Sequence, residues 1–500
     1  MAYQAVHRQP PIGDRNMFSA NFKPQQLPLI AMLLVFFFTR AYPADVPAGV
    51  PAGATTMALP SDFDWVPLLA VIRLAPGKYT VDKTADDLRL TMIQGKVVTP
   101  YYVDPINGKD TNSGQTQDLA LKTMQAAANK SAGDISEVII VAPPSRLVWG
   151  ENAMVNGFAH SAMIHAMDDQ EVIFCKCSKP MWTAVGNGTF TTVGPTGTLN
   201  TSIVMDWSPQ ARATSPEGGG LGYERVADAA AVAGMPATFY HDATSGLVTV
   251  CPFAERNLVG DEFITVPADN EFNCWSMQTP SAATAGRFYW ARGCHWIGGL
   301  NPLGLNNNSA VSARSLYVFD HCGMWAGSSK GNAMAAVGPN DIYNFDGIGG
   351  YSGADLWNLH GNGHGSGRIF HVRPRCTVRN GFGNTGRDNV DTVHEDSRGI
   401  TVMPIYAHAD GRVYGYIDRA RGVVFGGSIG PSLRTDDFCA SVNAGGRTVV
   451  DLFEVTLVPS KGPYTLTADG TTPGSGATIR GHGMDIANLT KRGANIASAP

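Results

Sequence analysis

Short strand-like runs recur through the second half of this chain, and their spacing limits the fold more than any other feature. Between Trp296, Tyr317, Tyr343, Phe370 and Ile400 the steps are 21, 26, 27 and 30 residues. A period in that range is one coil of a β-solenoid, with loops of varying length leaving it. A single coil of three short strands buries nothing in its own plane. A second coil stacked about 4.8 Å above it pairs the backbone groups and closes an apolar interior. Gly and Asn at the corners supply the left-handed backbone that tight bends need. The strand–helix alternation of a doubly wound sheet is absent after residue 130, as is the spacing of a leucine-rich horseshoe. A β-sandwich or jelly roll is the alternative architecture.

Composition agrees with a turn-rich β chain. Of 500 residues, 57 are Gly and 31 Pro, and 44% are hydrophobic, enough for a large core. Charged residues are only 16% and the net charge is −5, with no Lys/Arg-rich run. Nucleic acid is therefore excluded as an expected partner, since phosphate neutralisation needs a concentrated positive footprint. Eight cysteines are thinly spread, and Cys175-Lys-Cys177 is the one close pair. C-x-C alone is not a zinc signature, so buried reduced thiols are expected, with disulfides if the protein is exported.

Leu27–Thr39 is an apolar run of thirteen residues, short of the roughly 20 that span a bilayer. Followed by Pro and small residues, it has the layout of a secretory signal cleaved near Ala41 or Ala44. A start at Met57 is the rival reading. Residues 1–56 are thus a signal-like or disordered extension. Residues 57–100 read as a small N-terminal element with two β runs around Pro76–Gly77. Residues 101–142 hold an entry strand, a helix from about Leu121 and the β-branched run Ile135–Val141. Residues 143–285 are early coils carrying long insertions, and 286–500 are the main coils. Asp104–Gly114 reads as a turn rather than a Ca²⁺ loop, because the terminal bidentate acid is missing. The Gly-rich "EGGGLG" reads as a loop, since neither a helix nor Lys-Ser/Thr follows it.

"YYVDPINGKDTNSGQ…LKTMQAAA", residues 101–128, resembles the opening of right-handed parallel β-helix proteins of the pectate-lyase-like superfamily. Those begin with a short strand, a G-x-D-x-N-S-G loop and a K-T-[IM]-Q-x-A helix that covers the end of the solenoid. "ATFYHDATSGLVTVCP", residues 237–252, is similar to a hairpin that closes an insert in such proteins. The resemblance implies an all-β, right-handed parallel β-helix with a short N-terminal capping helix and long loop insertions. It also implies a partner that is a polysaccharide or surface glycan, met outside the producing cell by a secreted enzyme or by a tailspike-like virion protein. Tailspike-like relatives are typically homotrimers. A non-catalytic structural or adhesive β-helix, such as a tail or decoration component, is the alternative.

On a solenoid, polar residues one coil apart become neighbours. Asp320-His321, Asp346, Asp355 and the cluster "DNVDTVHEDSR", residues 388–398, could so line one groove. Paired carboxylates there suit glycoside cleavage, or could hold Ca²⁺ while a base abstracts a proton from a uronate. The expected catalytic residues are Asp391, His394, Glu395 and Asp346. Arg387, Arg398, Asp355, Trp357 and Tyr406 are the expected substrate contacts. Against this stands a plain alternative in which the same residues satisfy backbone groups at coil corners. Trp325, Tyr343, Tyr351 and Tyr414 could stack on sugars or pack in the core. His360, His364 and His371 admit a metal, but their glycine-rich setting argues for a loop, and no metal site is expected.

Overall fold

The computed structural model describes residues 53–499 apart from 195–202, 268–271, 278–285, 308–313, 329, 362, 364, 379–388, 436–439, 470–475 and 494. The signal-like run, Arg387, Asp388, His364 and Cys439 therefore lie outside the described residues. Three long parallel sheets dominate. Sheet 1 has twelve strands, sheet 2 nine and sheet 3 ten. The chain visits them in the same rotation. Asn340–Phe345 in sheet 1 leads to Ile348–Gly350 in sheet 2 and Trp357–His360 in sheet 3. Arg368–Val372 then begins the next circuit beside Asn340–Phe345. The expected coil spacing follows from this: Tyr343, Phe370 and Ile400 stand in register on successive strands of sheet 1, with Val318 rather than its neighbour Tyr317 one strand before them, while Trp296 lies in sheet 2. Circuits begin earlier than the sequence pattern suggested, at Ile135–Ile140, Leu147–Trp149 and Val155–Asn156. No facing antiparallel layers of a sandwich are formed by these sheets.

Alternation along each strand sends one set of side chains inward. In sheet 1 the inward set includes Tyr317, Phe319, Ile342 and Ile369, which meet Trp296, Met324, Trp357 and Leu359 of the other two sheets in one continuous core. The helix Met124–Lys130 joins that core through Met124, Ala127 and Ala128. Its Thr123 hydroxyl accepts from the Ala126 amide, and Asp110 accepts from the Lys122 and Thr123 amides. Asp104 likewise accepts from the Ile106 and Asn107 amides, so both acids of the 104–114 loop serve the backbone of a turn.

Two corners repeat on each circuit and are built differently. Between sheets 1 and 2 a single left-handed residue makes the bend: His321, Asp346, Arg373, Met403, Gly426 and Glu454 all have φ near +50 to +61°. Each sends its N–H to the next circuit, as in Asp346 N to Val372 O at 2.8 Å and Arg373 N to Val402 O at 2.8 Å. Between sheets 2 and 3 the side chains make the ladder. Asn273, Asn301, Asn332, Asp355 and Asn389 each accept, through Oδ1, the backbone N–H of the residue one circuit on, the last from Arg412.

Two segments cover outer faces. Residues 57–93 lie against sheet 1, where Phe63, Trp65, Leu69 and Tyr79 pack on Tyr343, Phe370, Ile400 and Phe425. The strands Val71–Ala75 and Lys78–Val81 form the expected pair about Pro76–Gly77. The helix Ala85–Ile93, capped by reciprocal Thr84–Asp87 bonds, was not foreseen. Residues 178–266 form the expected insertion, with the hairpin Thr238–Asp242 and Leu247–Cys251 inside it. Ile203, Met205 and Trp207 of this insertion pack on Ile173, Ile297 and Trp325 of sheet 2. "EGGGLG" is a close-contact loop: a Cβ at Gly219 would lie 2.2 Å from the Trp325 ring. No helix of the described residues is long and apolar enough to cross a membrane.

Candidate functional site

The residues proposed from sequence separate into three places. The first is the interior. Asp391 opens the strand Asp391–Val393 and points inward, only 1% exposed. Tyr406 donates to its Oδ2 at 3.1 Å and Thr401 stands at 3.5 Å. Asn344 Nδ2 donates to His371 Nδ1 at 3.0 Å, which leaves the ring proton on Nε2, facing Asp391 Oδ2 at 3.8 Å. Trp357 lies against both, its ring 4.9 Å from His371 and 5.6 Å from Tyr406. Glycines make room at this level: a Cβ at Gly399 would fall 1.7 Å from the Tyr416 hydroxyl. Burial pushes the Asp391 carboxyl up to about 7 and the His371 imidazole down to about 3, so both groups favour their neutral forms. Asp391, Trp357 and Tyr406 are thus brought together as expected, but within the core. Enclosure leaves Asp391 no surface on which to meet a glycan. Tyr343, Tyr351, Trp325 and Tyr414 are also packed away, in the core or under the covering segments.

The second place is the pair of corners at the ends of sheet 3. Asp355 belongs to the amide ladder, with Oδ1 accepting from the Asn389 N–H and Nδ2 at 3.0 and 2.7 Å. His394 stacks on His360 at 4.0 Å, and burial, followed by His360 and Arg412, lowers it to about 3. Glu395 makes a left-handed bend at φ 59°, with its carboxylate against Gly361. Asp396 pairs with Arg419, and Arg398 with Asp64 of the N-terminal segment. His371 faces the interior and His360 the corner, so these two do not converge on one point. Among the described residues no group of three or more His, Cys, Asp or Glu is arranged to hold a metal ion.

The third place joins Asp320, His321 and Asp346 at the corner between sheets 1 and 2. Asp320 ends one strand of sheet 1, and His321 and Asp346 are bend residues of adjacent circuits. His321 Nδ1 donates to Asp320 Oδ1 at 2.6 Å, and its Nε2 lies 3.7 Å from Asp346 Oδ2. Arg292 Nε donates to Asp320 Oδ2 at 2.6 Å, while Arg373 grips Asp346 through two bonds of 2.8 and 2.6 Å. Charge-assisted, two-point pairing of this kind fixes the position of the Asp346 carboxylate. Asp320 is enclosed, whereas the His321 and Asp346 side chains are 19% and 20% exposed. Here an imidazole is oriented by one acid, faces a second and reaches solvent. Sequence spacing alone was sufficient to place these three on neighbouring circuits.

No protein-family profile and no curated protein sequence matches the chain. Among solved structures, one described as a glycoside hydrolase superposes with a TM-score of 0.39 at 9% identity, covering 80% of this chain and 95% of that one. The structure of XylC in complex with xylose superposes with a TM-score of 0.40 at 11% identity, covering 80% and 70%. Similarity at this level identifies no activity.

Proposed function

We propose that this chain is a right-handed parallel β-helix of the pectate-lyase-like kind that acts on a polysaccharide outside the producing cell or from a virion surface. The juxtaposition of Asp320, His321 and Asp346 supports cleavage as part of that role. His321 is the proton carrier. Asp320 accepts from Nδ1 and fixes the ring, and Asp346, 3.7 Å from Nε2, would stabilise the imidazolium formed when the ring takes a proton. Both carboxylates are committed to arginines, so neither is placed as the second acid that glycoside hydrolysis requires. One base beside a guanidinium suits β-elimination on a uronate. His321 removes the proton next to the carboxylate, the neighbouring C4–O glycosidic bond breaks as the C4=C5 double bond forms, and the leaving sugar oxygen takes a proton from solvent. Arg373, held by Asp346, stands beside the developing charge.

The test is a panel of uronate and neutral glycans read by absorbance of unsaturated products and by reducing ends. His321→Asn keeps a side chain that tolerates the left-handed bend. It is expected to lower the elimination rate by about 100-fold or more, with melting temperature unchanged. A variant as fast as the parent refutes the assignment. The second reading, a non-catalytic structural β-helix, is favoured by the pairing of Asp346 with Arg373 and Asp396 with Arg419 across successive circuits. It predicts no product from any glycan.

A further inference from the structure

Cys175 and Cys177 flank the bend at which the chain leaves sheet 2 to begin the insertion of residues 178–266. Their sulfur atoms are 3.0 Å apart and unbonded. That is closer than two thiols pack for contact alone, and the bend at Lys176–Cys177 shortens the span between them. Cys175 is buried and Cys177 is half-buried, so one sulfur is reachable from outside and the other stands behind it. Among the remaining described cysteines Cys294 and Cys322 also neighbour each other, but both are fully enclosed, and Cys376 is buried with its thiol on Val378 O. Cys294 and Cys322 face the core, where their thiols donate to backbone carbonyls, among them Ile164 O and Ala291 O. Cys274, close by, is fully enclosed and its thiol is directed at Phe174 O. Cys251 is also buried, within the insertion's own sheet.

We propose that Cys175-Lys176-Cys177 is a reversible dithiol–disulfide site, oxidised by low-molecular-weight disulfides. The Cys177 thiolate attacks one sulfur of the reagent, forming a mixed disulfide and releasing one reagent thiolate. Cys175 then gives up its proton and attacks Cys177 Sγ. The protein S–S bond forms, the mixed S–S bond breaks and the second reagent thiol leaves. Two electrons pass from the protein sulfurs to the reagent disulfide, which is reduced to two thiols. Access sets the order, because Cys177 is the more exposed residue of the two. The closed ring would fix the bend from which Met205 and Trp207 are carried onto sheet 2.

The full chain, purified reduced, is exposed to oxidised glutathione under native conditions, blocked with N-ethylmaleimide and mapped by mass spectrometry. The expected product is a Cys175–Cys177 link with loss of both as alkylation sites, reversed by dithiothreitol. Cys175→Ser should stop at a stable glutathione adduct on Cys177, and Cys177→Ser should leave Cys175 reduced. The wild-type map decides even if a variant fails to fold. A persistent adduct on wild-type Cys177, a link to Cys274, or two thiols that stay reduced would each overturn the proposal.

Discussion

Asp391 shows how a carboxylate that reads as catalytic can instead be part of the interior. Its strand pairs with Trp357 on one side and Tyr414 on the other, and alternation turns all three inward. The folded-state value of about 7 lies above the roughly 3.9 of an unfolded aspartate. The native state therefore holds the proton more tightly. The stability this provides is complete below about pH 4 and is lost as pH rises towards 7. Asp391→Asn mimics the protonated form. Relative to the parent, the variant should gain stability between pH 4 and 8, on the order of 4 kcal/mol, in urea unfolding at both pH values. A parent and variant with parallel pH profiles would contradict the buried-acid assignment. The type of each residue in "DNVDTVHEDSR" was plain in the sequence, but its facing was not. A three-residue strand gives too little alternation to show which of Asp391, Thr392 and Val393 points inward. His371 was noticed as one of three histidines, yet nothing local marks it as Asp391's neighbour. That link needs the register between circuits.

The two corner ladders explain at the level of elements why Asp346 and Asp355 stood out. Each is one rung of a column that runs through successive circuits, one built from bent backbone and the other from side-chain amides. Asn389 donates to Asp355 and accepts from Arg412. Asn389→Ala removes both bonds at a buried position and should cost roughly 1–3 kcal/mol, measured as a shift in the urea midpoint. Hydrogen exchange should quicken at Arg412 while the distant strands keep their protection. The coil spacing was readable because aromatic and β-branched residues recur at inward and covered positions of sheet 1. The ladder was hidden because its asparagines lie 23 to 34 residues apart, with loops of unequal length between them. The helix Ala85–Ile93 could have been found from Thr84 and Asp87, the capping-box spacing.

At the scale of the whole molecule, sheet 1 depends on a segment far from it in sequence. Arg398 meets Asp64, Arg421 and Arg480 meet Asp62, and Arg73 and Tyr79 meet Glu454. Beneath these pairs lies the apolar cluster closed by Phe63, Trp65 and Leu69. A chain beginning at residue 95 would expose Tyr343, Phe370, Ile400 and Phe425 together. It should self-associate in light scattering, whereas the intact chain would not through this face. The insertion covers sheet 2 in a similar way but is spliced into the middle of the winding. It departs after Cys175 and returns before Trp275, and those two strands still take their places beside Ile297 and Leu303. Register is thus continuous on either side of the detour, which is itself tied to the scaffold by Trp207 on Trp325 and Arg212 on Glu171. Evolution, or an engineer, could exchange that module for another of different length provided the replacement still roofs Ile297 and Trp325.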